Sequence, residues 1–238
     1  MTLSLTPLFC YEAEQTALDA VGNGPELNAY PDYEAGKVGS YAFGNSIDEV
    51  RCIGSNAATI TNAILSSSNW SVAAWQKLGS HSTDGKTVYG QLSSTTAGKH
   101  YSFKIKRHLV TATYYFKMQV AGATNVDFVS SIPISTDWIH WVVVNEAGTI
   151  AVYLNGVLVG SGTLPATSSV SNHVIGVVHS PADFSASDQF AGWTAALTAD
   201  DATYLYNSGA GRAYADWEVA ESPATGRSFV NKQCFLTA

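Results

Sequence analysis

The 238-residue sequence predicts an all-β fold, two antiparallel sheets packed as a sandwich with one short C-terminal helix. Three observations carry this. Apolar residues alternate with polar ones along most candidate elements, the period-two pattern of half-buried strands. Asn155-Gly156 separates two such runs and supplies two residues tolerant of positive φ, as a tight hairpin turn requires. A helix signature stands at one place, where Thr198 precedes Asp201 and Asn207-Ser208-Gly209 follows. The length suits one large all-β domain, since sandwiches run to about 200–250 residues.

In chain order, Leu8-Phe9-Cys10-Tyr11 is the first apolar strand, followed by a strand over Gly36–Phe43 and a short strand-like segment around Cys52. Trp70–Leu78 and Val88–Leu92 come next. Tyr101, Phe103 and Ile105 point inward while Ser102, Lys104 and Lys106 point outward. Tyr114, Phe116, Met118 and Val120 repeat the pattern, and Asp127–Ile134 leads into Trp138–Gly162. That stretch is a three-stranded meander. Trp138, His140, Val142 and Val144 share one face of its first strand, and Ile139, Trp141 and Val143 the other. In its second strand Ile150, Val152 and Leu154 alternate with Ala151, Tyr153 and Asn155. Val174–Val178 and Asp183–Leu197 are the last strands. The helix that follows buries Ala202, Leu205 and Tyr206. Arg212–Ala238 carries Trp217, Phe229 and Phe235, unlike a disordered tail.

Hydrophobic residues make up 46% of the chain, enough for a sizeable core, and charged residues only 13%, well under the usual roughly 25%. Ser, Thr, Asn, Ala and Gly must therefore build much of the surface. The net charge of −7 argues against a nucleic-acid partner. The densest basic run, Lys104–His108, reads as the polar face of a strand. The three cysteines, Cys10, Cys52 and Cys234, are no disulfide framework. Cys10 reads as a buried thiol, with a Cys10–Cys52 bridge as the alternative. The sequence shows no signal-peptide pattern and no 18-residue apolar run.

Several motifs resemble one family. Trp138-x-His140, the valine run, Gly148-Thr149-Ile150, Val152–Gly156 and Gly160-Ser161-Gly162 are similar to the core of the laminin-G-like, concanavalin A-like lectin/glucanase superfamily. Leu18-Asp19 with Gly22-Asn23-Gly24 resembles its opening loop, Gly36–Phe43 the next strand, and Trp70–Leu78 its "F-S-V-x-A-W-x-K" strand. Phe184, Asp188, Phe190, Trp193 and Leu197 resemble its closing strand, though Ser185-Ala186 and Thr194-Ala195 depart from it. Leu197-Thr198-Ala199-Asp200-Asp201 through Gly211 is a second match. The resemblance covers roughly residues 5–211. It implies a jelly-roll sandwich over 1–211, with 212–238 an extension packing on the sandwich or on a neighbouring subunit. The pattern starts within ten residues of Met1, which argues against a missing upstream domain.

The resemblance also implies a candidate calcium site at Glu12, Asp19, Asn23 and Asp188, since a hard cation takes loop oxygens. The competing reading is that Asp19 and Asn23 shape an Asx-type turn. Glycosidases on this sandwich need two carboxylates on one strand face. Asp48-Glu49 are adjacent and face opposite sides, and Asp216-x-Glu218-x-x-Glu221 lies in the extension, so no catalytic residue is assigned and an enzyme is not expected. His140 reads as a strand histidine hydrogen-bonded locally. Trp75, Trp138 and Trp193 fall at core positions of the family pattern. Trp141 and Tyr153 are assigned to the opposite, concave face, and with Trp70 and Trp217 they are the candidates for carbohydrate or subunit contacts.

The expected function is a non-enzymatic virion surface protein, a capsid decoration, head fibre or tail appendage of a phage. It is made in the host cytoplasm, with capsid or tail proteins or its own copies as partners and glycans as ligands. The alternatives are an extracellular bacterial carbohydrate-binding or adhesion module and a glycoside hydrolase.

Overall fold

A computed structural model describes residues 3, 5–12, 19–25, 27, 33–39, 41–43, 49–77, 89–108, 110–120, 125–133, 135, 137–166, 170–178 and 186–217. Its strands are β1 (Phe9–Tyr11), β2 (Tyr33–Ala35), β3 (Tyr41–Phe43), β4 (Glu49–Ile53), β5 (Asn69–Lys77), β6 (Tyr89–Ser94), β7 (Lys99–His108), β8 (Thr113–Val120), β9 (Val126–Pro133), β10 (Trp138–Glu146), β11 (Thr149–Leu154), β12 (Val157–Thr163), β13 (Val174–Val178) and β14 (Ala186–Trp193). Two α-helices join them, α1 (Ser55–Ser66) and α2 (Ala199–Tyr206). The larger sheet runs β12-β11-β10-β5-β14-β3-β2 with β1 also beside β14, and the smaller runs β4-β13-β6-β7-β8-β9. The described pairings are antiparallel. The chain is therefore an all-β sandwich, as the period-two runs require.

Aromatic rings fill the space between the sheets. Trp141 lies 5.7 Å from Phe103 and 5.7 Å from Phe116, centroid to centroid, and Trp70 lies 5.6 Å from Tyr101. Tyr101, Phe103, Ile105, Tyr114, Phe116 and Met118 all point into this core, the face their alternation assigns. A one-helix fold needs correction. Ala57, Ile60, Thr61, Ile64 and Leu65 are buried at helical spacing in α1, which packs on β4, β5, β6 and β13. The start of α1 is capped by Gly54 with no side-chain cap, so the usual polar start signal is missing.

The larger sheet is buried on both faces. Its outer face carries Cys10, Ala73, Val142, Val144, Ala191 and Trp193, which pack against Leu3, Leu197, Ala202, Leu205 and Trp217. This double burial explains why Trp138–Val144 reads as a nearly continuous apolar run. Trp217 stacks on Trp193 at 5.8 Å with planes 15° apart, and its Nε1 donates to the Arg212 carbonyl at 3.0 Å. Residues 212–217 thus pack on the sandwich itself. Glu218–Ala238, with Phe229 and Phe235, lie outside the described residues, as do Asp48, the loop Gly79–Lys86 and Asp183–Ser185.

Asn155 (φ 50°) and Gly156 (φ 75°) make the two-residue hairpin turn between β11 and β12. Thr198 and Asp201 form a reciprocal capping box at the start of α2, and Asn207 (φ 48°) ends the helix in the left-handed conformation. The buried face of α2 is Asp201, Ala202, Tyr204 and Leu205. Tyr206 is only half-buried and stacks toward Trp75. Cys10 and Cys52 are free buried thiols in separate clusters, Cys10 outside the larger sheet and Cys52 between the sheets, which rules out a bridge between them. No helix among the described residues is long and apolar enough to cross a membrane.

Candidate binding site

The hairpin joining β10 to β11 and the chain entering α2 enclose a pocket of about 250 Å³. Val144, Glu146, Thr149, Ala151 and Tyr153 form its floor, and Ala196, Leu197 and Thr198 its wall. The floor follows from register. Val142 pairs with Tyr153, Val144 with Ala151 and Glu146 with Thr149, and paired residues share a face. The wall is tied down by hydrogen bonds. Ser71 Oγ donates to the Ala195 carbonyl at 2.9 Å and accepts from the Leu197 N–H at 2.9 Å. Asp201 Oδ2 accepts from Thr198 N at 2.8 Å and Thr198 Oγ1 at 2.7 Å.

The pocket offers an aromatic ring beside a carboxylate and hydroxyls. Tyr153 is half-buried, and partial burial raises its pKa, so its hydroxyl stays protonated and can both donate and accept. Glu146 and Thr149 are exposed at the rim. Small-molecule sites usually span about 300–1,000 Å³, so a pocket of this size takes one small ring rather than a long chain. An apolar ring face with a few convergent polar groups suits a pyranose, which has C–H faces and hydroxyl edges. Among the described lining residues Glu146 is the sole carboxylate, so the pocket lacks the pair that glycoside hydrolysis uses.

Register also corrects the face assignments. Trp141 pairs with Leu154, on the inner face, while Tyr153 lies on the outer face, so the two do not line one side. Trp70 and Trp141 are 0% exposed and lie inside the sandwich, offering no surface to a ligand. Trp217 is 8% exposed and is spent on Trp193. Of the four aromatic candidates Tyr153 alone lines the pocket. Glu146, Thr149 and Thr198 join it; in the sequence Glu146 lies in the short Glu146-Ala147-Gly148 turn, Thr149 follows that turn, and Thr198 reads as a helix cap.

The expected calcium ligands do not form a cation site. Asp19 Oδ1 accepts from the N–H of Cys10 (2.7 Å) and Val21 (3.0 Å), and its Oδ2 from the N–H of Asn23 (2.8 Å) and Gly24 (2.5 Å). Both oxygens face N–H dipoles, an arrangement that repels a cation. Asn23 Nδ2 donates to the Leu8 carbonyl at 3.0 Å. Glu12 Oε1 accepts from Gln189 Nε2 (3.1 Å) and Tyr214 N (2.5 Å). Asp188 Oδ2 accepts from the N–H of Lys37 (3.0 Å) and Val38 (2.8 Å). Among the described residues no three His, Cys, Asp or Glu side chains gather as a metal site. The donor set does not fit calcium; Asp19 organises an Asx-type turn instead.

His140 is buried beside Trp75 at 4.8 Å; its backbone N–H donates to Asn155 Oδ1 at 2.9 Å, while its ring Nδ1 has no partner. Burial lowers its pKa to about 3, which keeps it neutral.

A family model described as the concanavalin A-like lectin/glucanases superfamily matches residues 53–203, more than half of the chain. The chain belongs to this superfamily. Its fold is similar to the binding domain of botulinum neurotoxin serotype D (TM-score 0.61, 15% identity, 85% of this chain and 51% of that one). It is also similar to a structure described as showing that cell entry of botulinum neurotoxin type C depends on interaction with two ganglioside molecules (TM-score 0.60, 16% identity, 85% and 51%). A third is the binding domain of Paraclostridial Mosquitocidal Protein 1 (TM-score 0.58, 15% identity, 85% and 52%). At these identities the likeness is one of fold, and the chain spans about half the length of the solved structures it matches. No curated protein matches the chain in sequence.

Proposed function

We propose that this chain is a non-enzymatic binding module of a virion surface, a capsid decoration, head fibre or tail appendage, whose lectin-like sandwich holds a glycan in the Tyr153 pocket. The observation that carries the binding half is the pocket itself, with one aromatic ring, one carboxylate and flanking hydroxyls on a walled floor. The fold supports it, because proteins of similar fold are described as receptor-binding domains. Two free, buried thiols suit assembly in a reducing cytoplasm, in keeping with a virion component made inside a host cell.

A second reading, a bacterial receptor-binding or adhesion module, is favoured by one observation: the similar structures are domains of bacterial toxins. Two experiments separate these readings and test their shared premise. A glycan array with the wild-type chain and Tyr153→Ala tests binding, and the wild type alone should retain sugars. Co-sedimentation of the tagged chain with virions from the same source tests attachment. Glycan binding without virion association favours the second reading, and loss of both removes the proposal.

A further inference from the structure

The pocket on the outer face of the larger sheet is graded along its floor. Three same-face rungs follow one another: Val142 with Tyr153, Val144 with Ala151, and Glu146 with Thr149. Successive same-face residues on a strand lie about 7 Å apart. An aromatic ring therefore stands at one end of the floor, and a carboxylate beside a hydroxyl at the other. Between them the lining side chains are apolar, with Val144 and Ala151 on the floor and Ala196 and Leu197 in the wall. Val144 and Leu197 are buried and Ala151 and Ala196 half-buried, whereas Glu146 and Thr149 are exposed, so the middle rung is the least solvated part of the site.

The fold leaves the polar groups at the two ends uncommitted. The Tyr153 hydroxyl, the Glu146 carboxylate and the Thr149 hydroxyl make no hydrogen bond or ion pair among the described residues. Tyr11, Tyr114 and Tyr204, by contrast, each donate their hydroxyl to a backbone carbonyl. Charge narrows the choice of ligand further. Among the described lining residues Glu146 is the sole ionised side chain and no lysine or arginine stands with it, in a chain whose net charge is −7.

We infer that the pocket takes an uncharged 2-acetamido sugar, an N-acetylhexosamine; this rests on the glycan reading of the Tyr153 pocket and names its ligand class. The pyranose lies on Tyr153, and the acetamide runs along the floor and sets its methyl on Val144, Ala151 and Leu197. The amide N–H and the ring hydroxyls are donors for Glu146, and the hydroxyls of Thr149 and Tyr153 both give and take hydrogen bonds. A plain hexose presents a hydroxyl to the apolar middle, where it loses water and meets no polar side chain. A 6-deoxy sugar holds its methyl one bond from the ring, short of the next rung. An acidic sugar brings its carboxylate toward Glu146 with no cation to offset the repulsion, which discriminates against it.

Chemical-shift titrations with the methyl glycosides of N-acetylglucosamine and N-acetylgalactosamine, of their parents glucose and galactose, of fucose and of N-acetylneuraminic acid test this. At least one of the two acetamido sugars should bind about tenfold or more tightly than its 2-hydroxy parent, the scale of one well-placed methyl. N-acetylneuraminic acid, which joins an acetamide to a carboxylate, should bind at least tenfold more weakly than that sugar, and Glu146→Gln should narrow the gap. Ala151→Val fills the middle rung and should bring the acetamido sugar down to the level of its parent; Ala151→Ser, a smaller change, should reduce the preference. Equal binding of acetamido sugars and parents, lost together in Tyr153→Ala, would overturn the ligand class and leave the pocket standing. Tightest binding by fucose or by N-acetylneuraminic acid would do the same. Failure of every sugar to bind, or binding that neither Tyr153→Ala nor Ala151→Val alters, would overturn the ligand class and the pocket together. Melting curves confirm that each variant is folded.

Discussion

His140 and Asp188 stand on the strands either side of Trp75, each in register with that tryptophan, and each keeps a buried polar atom without a partner, Nδ1 and Oδ1. Paired residues share a face, so the two occupy one rung under Tyr206, which stacks 5.8 Å from Trp75 and 6.4 Å from His140. Their titrations oppose each other. Burial, the largest cause, pushes Asp188 up to about 7, while hydrogen bonds from the Val38 and Lys37 backbone pull down and Glu12 pushes up. A raised carboxyl pKa contributes stability that is full at low pH and is lost as pH rises from about 4 to about 7. His140, lowered to about 3, contributes stability that is full above about 6.5 and is lost as pH falls toward 3. His100, lowered by burial and by Lys104, acts in the same sense as His140.

The two slopes should therefore offset each other in the wild type between about pH 4 and 6.5. Asp188→Asn keeps an oxygen for the Lys37 and Val38 N–H groups and removes the carboxyl titration. Its urea midpoint should rise with pH over that range, and its unfolding free energy should exceed that of the wild type at pH 8 by on the order of 3–4 kcal/mol at most. Superimposable pH profiles for the two proteins would refute the assignment.

Gly156 sits at φ 75°, and a Cβ there would lie 3.2 Å from the Thr203 Cα. Gly156→Val should cost about 1–3 kcal/mol. Thermal melting measures it, and an unchanged Tm would remove both the turn assignment and the contact with α2.

Thr198→Ala removes the acceptor for the Asp201 N–H and one wall atom of the pocket. A loss of about 0.5–2 kcal/mol is expected in chemical denaturation.

Trp217→Ala should cost about 3 kcal/mol, the scale of a large aromatic truncated in a packed site. A chain ending at residue 217 should melt like the full chain if the last 21 residues add nothing to the sandwich, whereas one ending at residue 211 should melt lower. Equal melting of the two truncations would show that the Trp193–Trp217 stack does not hold the outer layer.

Much of the fold was legible because period two is a local property. The inward sets on β7 and β8, the Asn155-Gly156 turn and the Thr198 cap all follow from residues a few positions apart. What failed needed pairing or tertiary cover. Alternation within single strands does not say whether Trp141 and Tyr153 share a face; the two-residue turn Ala147-Gly148 pairs Glu146 with Thr149, which makes Trp141 face with Leu154 and Tyr153 with Val142. Helix α1 does show its spacing, Ala57, Ile60, Thr61, Ile64 and Leu65, but it begins at a glycine rather than at a polar cap. The pocket depends on Ala196–Thr198 crossing the outer end of β11, more than 40 residues away in sequence, and no local pattern announces it. The calcium expectation rested on residue types, whereas the backbone had already claimed the Asp19 oxygens.

The most direct test of glycan binding at Tyr153 is a titration of the strongest array glycan, followed by chemical shift changes in the aromatic and methyl regions, with wild-type protein and Tyr153→Ala. Saturable shifts are expected at Tyr153 and Thr149, with loss of binding by at least tenfold in Tyr153→Ala, no hydrolysis of the sugar and an unchanged fold. Saturable binding that leaves Tyr153 unmoved and survives its replacement, or turnover of the glycan, would contradict it.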